Sequence, residues 1–310
     1  MVTGASGLLG ANAVFEWSRQ GLDVIALFGS HAISVPGLKS LRCSLLDAKQ
    51  TEKAIRTVNP RWIIHCAAAT NMDWCERNAD DCFRINAEAS RLLAKTAKSL
   101  GARFLYVSTD NVFSGERGDY EESDPTGPMN VYAKSKLAGE QAVVRELADS
   151  LIVRTNIYGW NMQPKESLAE WMLGQLRQHS PFLGFEDAVF SPILANDLAD
   201  CLREMMSSEL QGVFHVAGRE ACSKYDFGRR LAGVFALDSS LVQPSSIRDS
   251  KLVAPRPLNT SLNTDKIARA LGRSMPTLQS GLERFKTLGD TGFVCQLKAA
   301  GERGPEECPG

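Results

Sequence analysis

Tyr132 and Lys136 stand four residues apart in the run NVYAKSKLAGEQAVVREL, residues 130–147. Helical spacing puts both side chains on one face. Just upstream, YVSTDNVFSG (106–115) closes a β-like run with hydroxyls at Ser108 and Thr109. A strand-end hydroxyl, a phenol and an ammonium together can handle a carbonyl. The hydroxyl holds the oxygen, and the phenol gives it a proton or takes one back. A phenol of pKa ~10 is a poor acid–base group at neutral pH, and a neighbouring cation favours phenolate and pulls that pKa down. The Tyr–Lys pair alone also fits a plain surface contact, and Lys134 reads as an ordinary solvent lysine.

The opening stretch MVTGASGLLGANAVFEW carries Gly4, Gly7 and Gly10 in the pattern G-x-x-G-x-x-G before an apolar, helix-like run. A strand-to-helix loop of this kind can bring backbone N–H groups onto a pyrophosphate at the positive end of a helix. Gly4 permits the tight turn, Gly7 clears the phosphate approach, and Gly10 lets helix and strand pack closely. A simple tight turn explains the same glycines. The loop is one residue wider than the G-x-G-x-x-G dinucleotide pattern. The acidic residue that would bind an adenosine ribose is missing: the second β-like run ends in Phe28, Gly29, Ser30 and His31. An acid there would repel a 2′-phosphate, so its absence favours NADP(H), with NAD(H) also admissible. No arginine stands in that run to hold the phosphate. A bound nicotinamide would add to the positive charge acting on Tyr132.

The elements that must position these residues alternate. Residues 22–28, 61–68, 102–109 and 149–155 are short and rich in Val, Ile and aromatics. Between them lie helical patterns at 86–100 and 130–147, with Ala89, Leu92, Leu93, Ala97 and Leu100 on one stripe of the first. Such alternation predicts an α/β fold: a Rossmann-type, doubly wound parallel sheet whose ligands bind beyond the carboxyl ends of the strands. Residues 188–206 read as an extended piece and a helix, 212–218 as a strand, 223–237 as helical, and 254–272 as a loop, a cap and a short helix. The dinucleotide domain is expected over 1–155, completed by about 188–218. A smaller C-terminal substrate-binding lobe is expected from 156–187 and 219–287, and 288–310 as a flexible tail. The first strand looks truncated, because only Met1, Val2 and Thr3 precede the glycine loop, against a usual strand of about five or six residues. A native chain beginning several residues earlier, or a chain that is itself a fragment, is the expectation.

With 310 residues, 44% hydrophobic and 23% charged, the chain can bury a large core. A formal net charge of −1 offers no field for nucleic acid or membrane. No apolar run reaches membrane-span length and no signal peptide is visible, so a cytoplasmic protein is expected. The eight cysteines (Cys43, Cys66, Cys75, Cys82, Cys201, Cys222, Cys295 and Cys308) form no C-x-x-C and read as free thiols. Cys66, Cys75 and Cys82 are too irregularly spaced for a favoured metal site, and no metal is expected. His65 and His215 sit within apolar runs and read as satisfied core histidines. Asp47 reads as a helix cap.

In combination, TGASGLLG, IIHCAAATNMDWCE, RINAEA, YVSTDNVFSG, GPMNVYAKSKLAGE, LIVRTNIYG and RPLNTSLNTDKI resemble the extended short-chain dehydrogenase/reductases. Within them the chain is most similar to the dTDP-4-dehydrorhamnose reductase group, over residues 1 to about 287. The resemblance implies that Gly4, Ser6, Gly7, Leu8, Leu9 and Gly10 hold the pyrophosphate, Ser44 and Leu45 lie at the adenine, and Ala67, Ala68 and Ala69 line the cofactor channel. It implies Thr109, with Ser108 beside it, at the keto oxygen. Tyr132 would be proton donor, and Lys136 would bind the nicotinamide ribose and lower the tyrosine pKa. Asp110, Asn156 and Arg256 would meet substrate, Arg256 near a nucleotide-sugar phosphate, and the Arg154 segment would sit at the nicotinamide end. Asn86 matches a helix asparagine of the superfamily, with packing an equal reading. Ser44 stands where the family often has aspartate, and Asn156 and Ile157 where rhamnose reductases have tryptophan; Trp160 is close but out of register. The implied activity is NAD(P)H-dependent reduction of a nucleotide-linked 4-keto-6-deoxysugar, with a homodimer compatible. Two alternatives stay open: a nucleotide-sugar epimerase or dehydratase, and a non-catalytic NADP-binding regulatory subunit like the β-subunit of methionine adenosyltransferase.

Overall fold

A computed structural model describes residues 1–302. Seven parallel strands form the central sheet: β1 (Val2–Thr3), β2 (Ile25–Phe28), β3 (Lys39–Arg42), β4 (Trp62–His65), β5 (Arg103–Val107), β6 (Leu151–Arg154) and β7 (Gly212–His215). Their spatial order is β7-β6-β5-β4-β1-β2-β3. The order reverses between β1 and β4, which is where a doubly wound sheet opens a crevice for a ligand. Both faces are covered. On one, Leu27, Ile63, Phe104, Tyr106 and Ile152 pack with Ile55, Leu93 and Val143 from three helices. On the other, the helix Leu8–Arg19 packs against Ala195–Met206, and Trp17 Nε1 donates to Ala199 O at 3.2 Å. Strands buried on both sides read as continuous apolar runs, which is why β4, β5 and β6 were visible in the sequence. The edge strand β3 was not, because three of its four residues are exposed.

β1 is two residues long, against four in its neighbours β2 and β4. Val2 and Thr3 still pair on both sides, and the Met1 ammonium donates to Trp62 O at 2.9 Å.

Beyond the sheet, short strand pairs build the rest: Phe182–Phe185 with Val242–Ser245, Val189–Phe190 with Cys222–Ser223, and Ile157–Tyr158 with Ile193–Leu194. Their core is continuous with that of the sheet. The expected tail is corrected over 288–302. The helix Leu278–Asp290 runs through its start, and a further helix spans Phe293–Glu302. Phe293, Leu297 and Ala300 form its buried stripe, and the Phe293 ring meets Phe15 edge-on at 5.2 Å. Gly292 just before the helix and Gly301 in its last turn disguised the period. The remaining expected tail, 303–310, lies outside the described residues. No helix among the described residues is long and apolar enough to cross a membrane.

Candidate active site

Gly4 has φ +63°, a left-handed conformation that favours glycine, and a Cβ there would lie 2.6 Å from the Ala67 backbone. A Cβ on Gly10 would lie 2.2 Å from Gly4 O. The loop therefore folds back on itself and against the end of β4. Gly7 is the N-cap of the helix Leu8–Arg19, has no side-chain cap and is followed by no acidic residue in the first turn. Gly7 N and Ala11 N are used internally, on Gly4 O and Gly7 O at 2.9 and 2.8 Å. Between them the donors of Leu8, Leu9 and Gly10 form the open first turn of a twelve-residue helix. An uncapped, positive helix end beneath a glycine cradle fits a pyrophosphate. Gln163 Nε2 reaches the same loop, donating to Ser6 O at 2.7 Å.

Ala67, Ala68 and Ala69 follow β4 and are half-buried. Asn86 clamps this segment. It accepts from Ala69 N at 2.8 Å, and its Nδ2 reaches Ala69 O at 3.0 Å and Ser135 Oγ at 2.9 Å. It sits in a π-helical turn, Arg84–Glu88. Such turns recur at functional sites, and this one turns an amide inward between two segments. Ser44 follows β3 and Leu45 lies next to it, while Asp47 caps the helix Ala48–Val58 by accepting from Gln50 N at 3.0 Å. The sequence offered no arginine beside Phe28, but sheet register brings exposed Arg42 level with it.

Tyr132 and Lys136 lie in the first turns of the helix Val131–Glu146, whose N-cap Asn130 accepts from Ala133 N at 2.8 Å. Both are buried, at 8% and 2% exposed. Tyr132 packs with Cys75 and Cys82, and Thr109 lies near enough to act on its phenol. The lowered tyrosine pKa expected from Lys136 is not found in the protein alone. Burial pushes the phenol above its ordinary value, the Thr109 hydroxyl pulls it back and Asp110 adds to the rise. Lys136 is turned aside: its Nζ donates to Val107 O at 2.7 Å and lies 4.0 Å over the Tyr106 ring. Burial brings Lys136 down to about 7, against the opposing pull of Glu140.

Successive side chains at the end of β5 part company. Thr109 faces Tyr132, whereas the Ser108 hydroxyl donates to Glu140 at 2.5 Å. Ser108, expected beside the keto oxygen, is thus occupied in the interior, because alternate strand residues point to opposite faces. Asp110 has every acceptor direction in use. Thr109 Oγ1 (3.1 Å) and Asn111 Nδ2 (2.8 Å) donate to Oδ1, and Asn156 Nδ2 (2.7 Å) and Thr260 Oγ1 (2.6 Å) to Oδ2. Asn156 thereby joins the site through Asp110. Arg256 pairs with Asp73 at 2.9 Å at the rim. Arg154 is buried on Glu140, and Trp160 stacks on Phe285 at 4.2 Å in the core.

His65 and His215 are interior and neutral. Burial takes His65 and His215 down to about 3; His65 is bound by Thr3 and Ser90, and His215 by Tyr120 O. Among the described residues the cysteines are free thiols, and no cluster of three or more metal-ligating side chains occurs. Sequence reading missed Glu140, Thr260, Gln163 and Lys224. Only Glu140 left a sequence signal, one helical turn beyond Lys136.

A hydroxyl, a phenol and, turned toward Val107 O, a lysine thus lie buried after β5 and on the helix Val131–Glu146. Comparison with known proteins gives a consistent result. The family model described as "RmlD substrate binding domain" matches residues 1–288. The chain is 32% identical over 290 residues to a protein of Haloferax volcanii named probable low-salt glycan biosynthesis reductase, covering 91% of this chain and 95% of that one. It is 31% identical over 278 residues to methionine adenosyltransferase 2 subunit beta of Danio rerio, covering 86% and 83%. Among solved structures, a dTDP-4-dehydrorhamnose reductase from Bacillus anthracis in complex with NADP superposes with a TM-score of 0.78 at 27% identity, covering 92% and 97%.

Proposed function

The chain belongs to the RmlD substrate-binding-domain family, and from that premise we propose that it is an NAD(P)H-dependent reductase of a nucleotide-linked 4-keto-6-deoxysugar. The observation that carries this reading is the burial of Tyr132 and Lys136, one helical turn apart on a single helix, with buried Thr109 near the phenol. The loop Gly4–Gly10 and the free donors of Leu8 and Leu9 hold the dinucleotide pyrophosphate, Ser44 and Leu45 border the adenine, and Ala67–Ala69 line the channel. Arg42, level with Phe28, supports NADP(H) over NAD(H) as the partner of a 2′-phosphate. A reduced nicotinamide bound there supplies the hydride.

The protein's own residues manage the proton. The Thr109 hydroxyl, turned from Asp110 Oδ1, donates a hydrogen bond to the substrate carbonyl oxygen and so fixes it beside the phenol. Tyr132 delivers its proton to that oxygen as negative charge develops on it. Lys136, released from Val107 O, turns to the ribose hydroxyls and supplies the positive charge that makes phenolate an acceptable leaving form. Asp110, still held by Asn111, Asn156 and Thr260, fixes the turn that aims Thr109 and presents Asn156 and Thr260 to the sugar. The test is NADPH oxidation by the purified protein with dTDP-4-keto-6-deoxysugars, with Tyr132→Phe as control. Turnover that disappears in the variant supports the reading. NADPH bound but never consumed overturns it in favour of an epimerase-type or non-catalytic role.

Likeness to the beta subunit of a methionine adenosyltransferase favours a second reading, an NADP-binding regulatory partner. Capture of a methionine adenosyltransferase catalytic chain by this protein, with no reductase turnover, would select it.

A further inference from the structure

Three extended segments lie side by side next to Asp110. Val189–Phe190 pairs antiparallel with Cys222–Ser223 on one flank. On the other it bridges Asn259, with Val189 N on Leu258 O at 2.7 Å and Thr260 N on Val189 O at 2.9 Å. Thr260 holds Asp110, the neighbour of Thr109, at 2.6 Å. At the opposite flank Lys224 begins the helix Lys224–Val234, its backbone N–H on Ala188 O at 3.0 Å. Two strand spacings, roughly 10 Å in all, separate the chain at Lys224 from the chain at Thr260.

Lys224 is half-buried, yet its ammonium takes part in no hydrogen bond or ion pair among the described residues. The charged groups acting on it are Asp110 and Arg256. Asp110 has its oxygens filled, and Arg256 is engaged by Asp73 and Ala254 O. The other acids near in the chain are also committed: Asp226 to Ser223 and Asp187 to Ser246 and Ile247. A partly desolvated cation with no anion is unfavourable unless a ligand supplies one.

We propose that Lys224 is the anion anchor of the substrate cleft and takes a phosphate oxygen of the nucleoside diphosphate that the sugar carries. This rests on the nucleotide-sugar reading above. Anchored there, the diphosphate is gripped between Lys224 and the Arg256 rim, leaving the sugar to extend toward Thr109 and Tyr132. The sequence gives no hint of it, since SKYDF reads as an ordinary helix start.

The test is calorimetric titration of dTDP, UDP and GDP into the NADPH-loaded protein, comparing wild type with Lys224→Gln and Lys224→Arg, and thymidine as the phosphate-free control. The expected result is a roughly 10- to 100-fold weaker Kd for the diphosphate that wild type prefers in Lys224→Gln. Affinity should recover in Lys224→Arg, with thymidine and NADPH binding unchanged. Wild-type affinity in Lys224→Gln overturns the anchor and leaves the nucleotide-sugar reading standing. Failure of the wild type to bind any of the three diphosphates overturns that reading and the anchor with it. A measurement on unmutated protein covers misfolding of the variants: dTDP should shield Lys224 from acylation by an amine-reactive ester, read by peptide mass, and unshielded acylation at saturating dTDP overturns the anchor.

Discussion

Glu140 and Arg154 form a two-pronged ion pair in the interior, with Nη2 to Oε2 at 2.8 Å and Nε to Oε1 at 3.0 Å, and side chains only 6% exposed. The pair ties the helix of Tyr132 and Lys136 to β6, and through the Ser108 hydroxyl it also ties that helix to the end of β5. The Arg154 guanidinium lies 5.1 Å from the Phe113 ring centroid, and its Nη1 has no partner among the described residues. Removing one partner leaves a buried charge uncompensated, at a cost of about 3–5 kcal/mol, whereas replacing both can be nearly neutral. Glu140→Ala is therefore expected to lose about that much stability, and Glu140→Ala with Arg154→Met much less than the sum of the single changes. A double-mutant cycle by urea denaturation checks this, and additive losses would refute it.

Lys136 gives the unliganded protein a pH signature. Its ammonium is lowered by burial to about 7, while in the unfolded chain it titrates near 10.4. Between those values the unfolded chain holds the extra proton, so stability rises with pH, by at most roughly 1.4 kcal/mol per unit. The contribution is complete above the unfolded value and lost as pH falls to about 7. Relative to Lys136→Met, the wild type should gain stability from pH 7 to pH 10 by chemical denaturation. A constant difference would show that the ammonium is not desolvated as described.

The two core histidines act in acid. Burial holds both neutral down to about 3, against about 6.5 unfolded. Their stability is complete above pH 6.5 and is lost as pH falls toward 3, with a slope of at most about 1.4 kcal/mol per unit for each. His65→Gln keeps polar contacts to Thr3 and Ser90 while removing one titration. The slope of unfolding free energy between pH 6 and pH 4.5 should be shallower in that variant, and an unchanged slope would count against a buried neutral His65.

Two glycines test close approach at different places. A Cβ on Gly139 would lie 2.3 Å from Tyr106 Oη and 2.4 Å from Asn86 O, so Gly139→Ala should push apart the Tyr132 helix and the Asn86 turn. It is expected to cost about 1–3 kcal/mol in stability and to lower turnover. A Cβ on Gly7 would meet only Gly4 O, at 3.3 Å. Gly7→Ala should instead spare the Tm of the free protein and weaken NADPH binding, measured by fluorescence titration. Equal effects on Tm in the two variants would contradict this separation.

The sequence by itself determined what lies within one element. Glycine spacing marked the loop, a four-residue interval put Tyr132 and Lys136 on one helical face, and apolar runs marked β4, β5 and β6 because strands buried on both faces need them. Asp47 was legible as a cap because its partner is three residues away. The exposed edge strand β3 and the helix Phe293–Glu302, with Gly292 before it and Gly301 in its last turn, lacked such periodicity and were misread or missed. Tertiary structure alone decided which strand-end hydroxyl lies near Tyr132, that Glu140 closes on Ser108 and Arg154, that Arg42 comes level with Phe28, and that Lys224 feels Asp110 and Arg256 with no hydrogen bond or ion pair among the described residues. These relations join residues far apart in the chain. They follow from strand register and the packing of helices on the sheet, where a one-residue slip would turn each side chain to the other face.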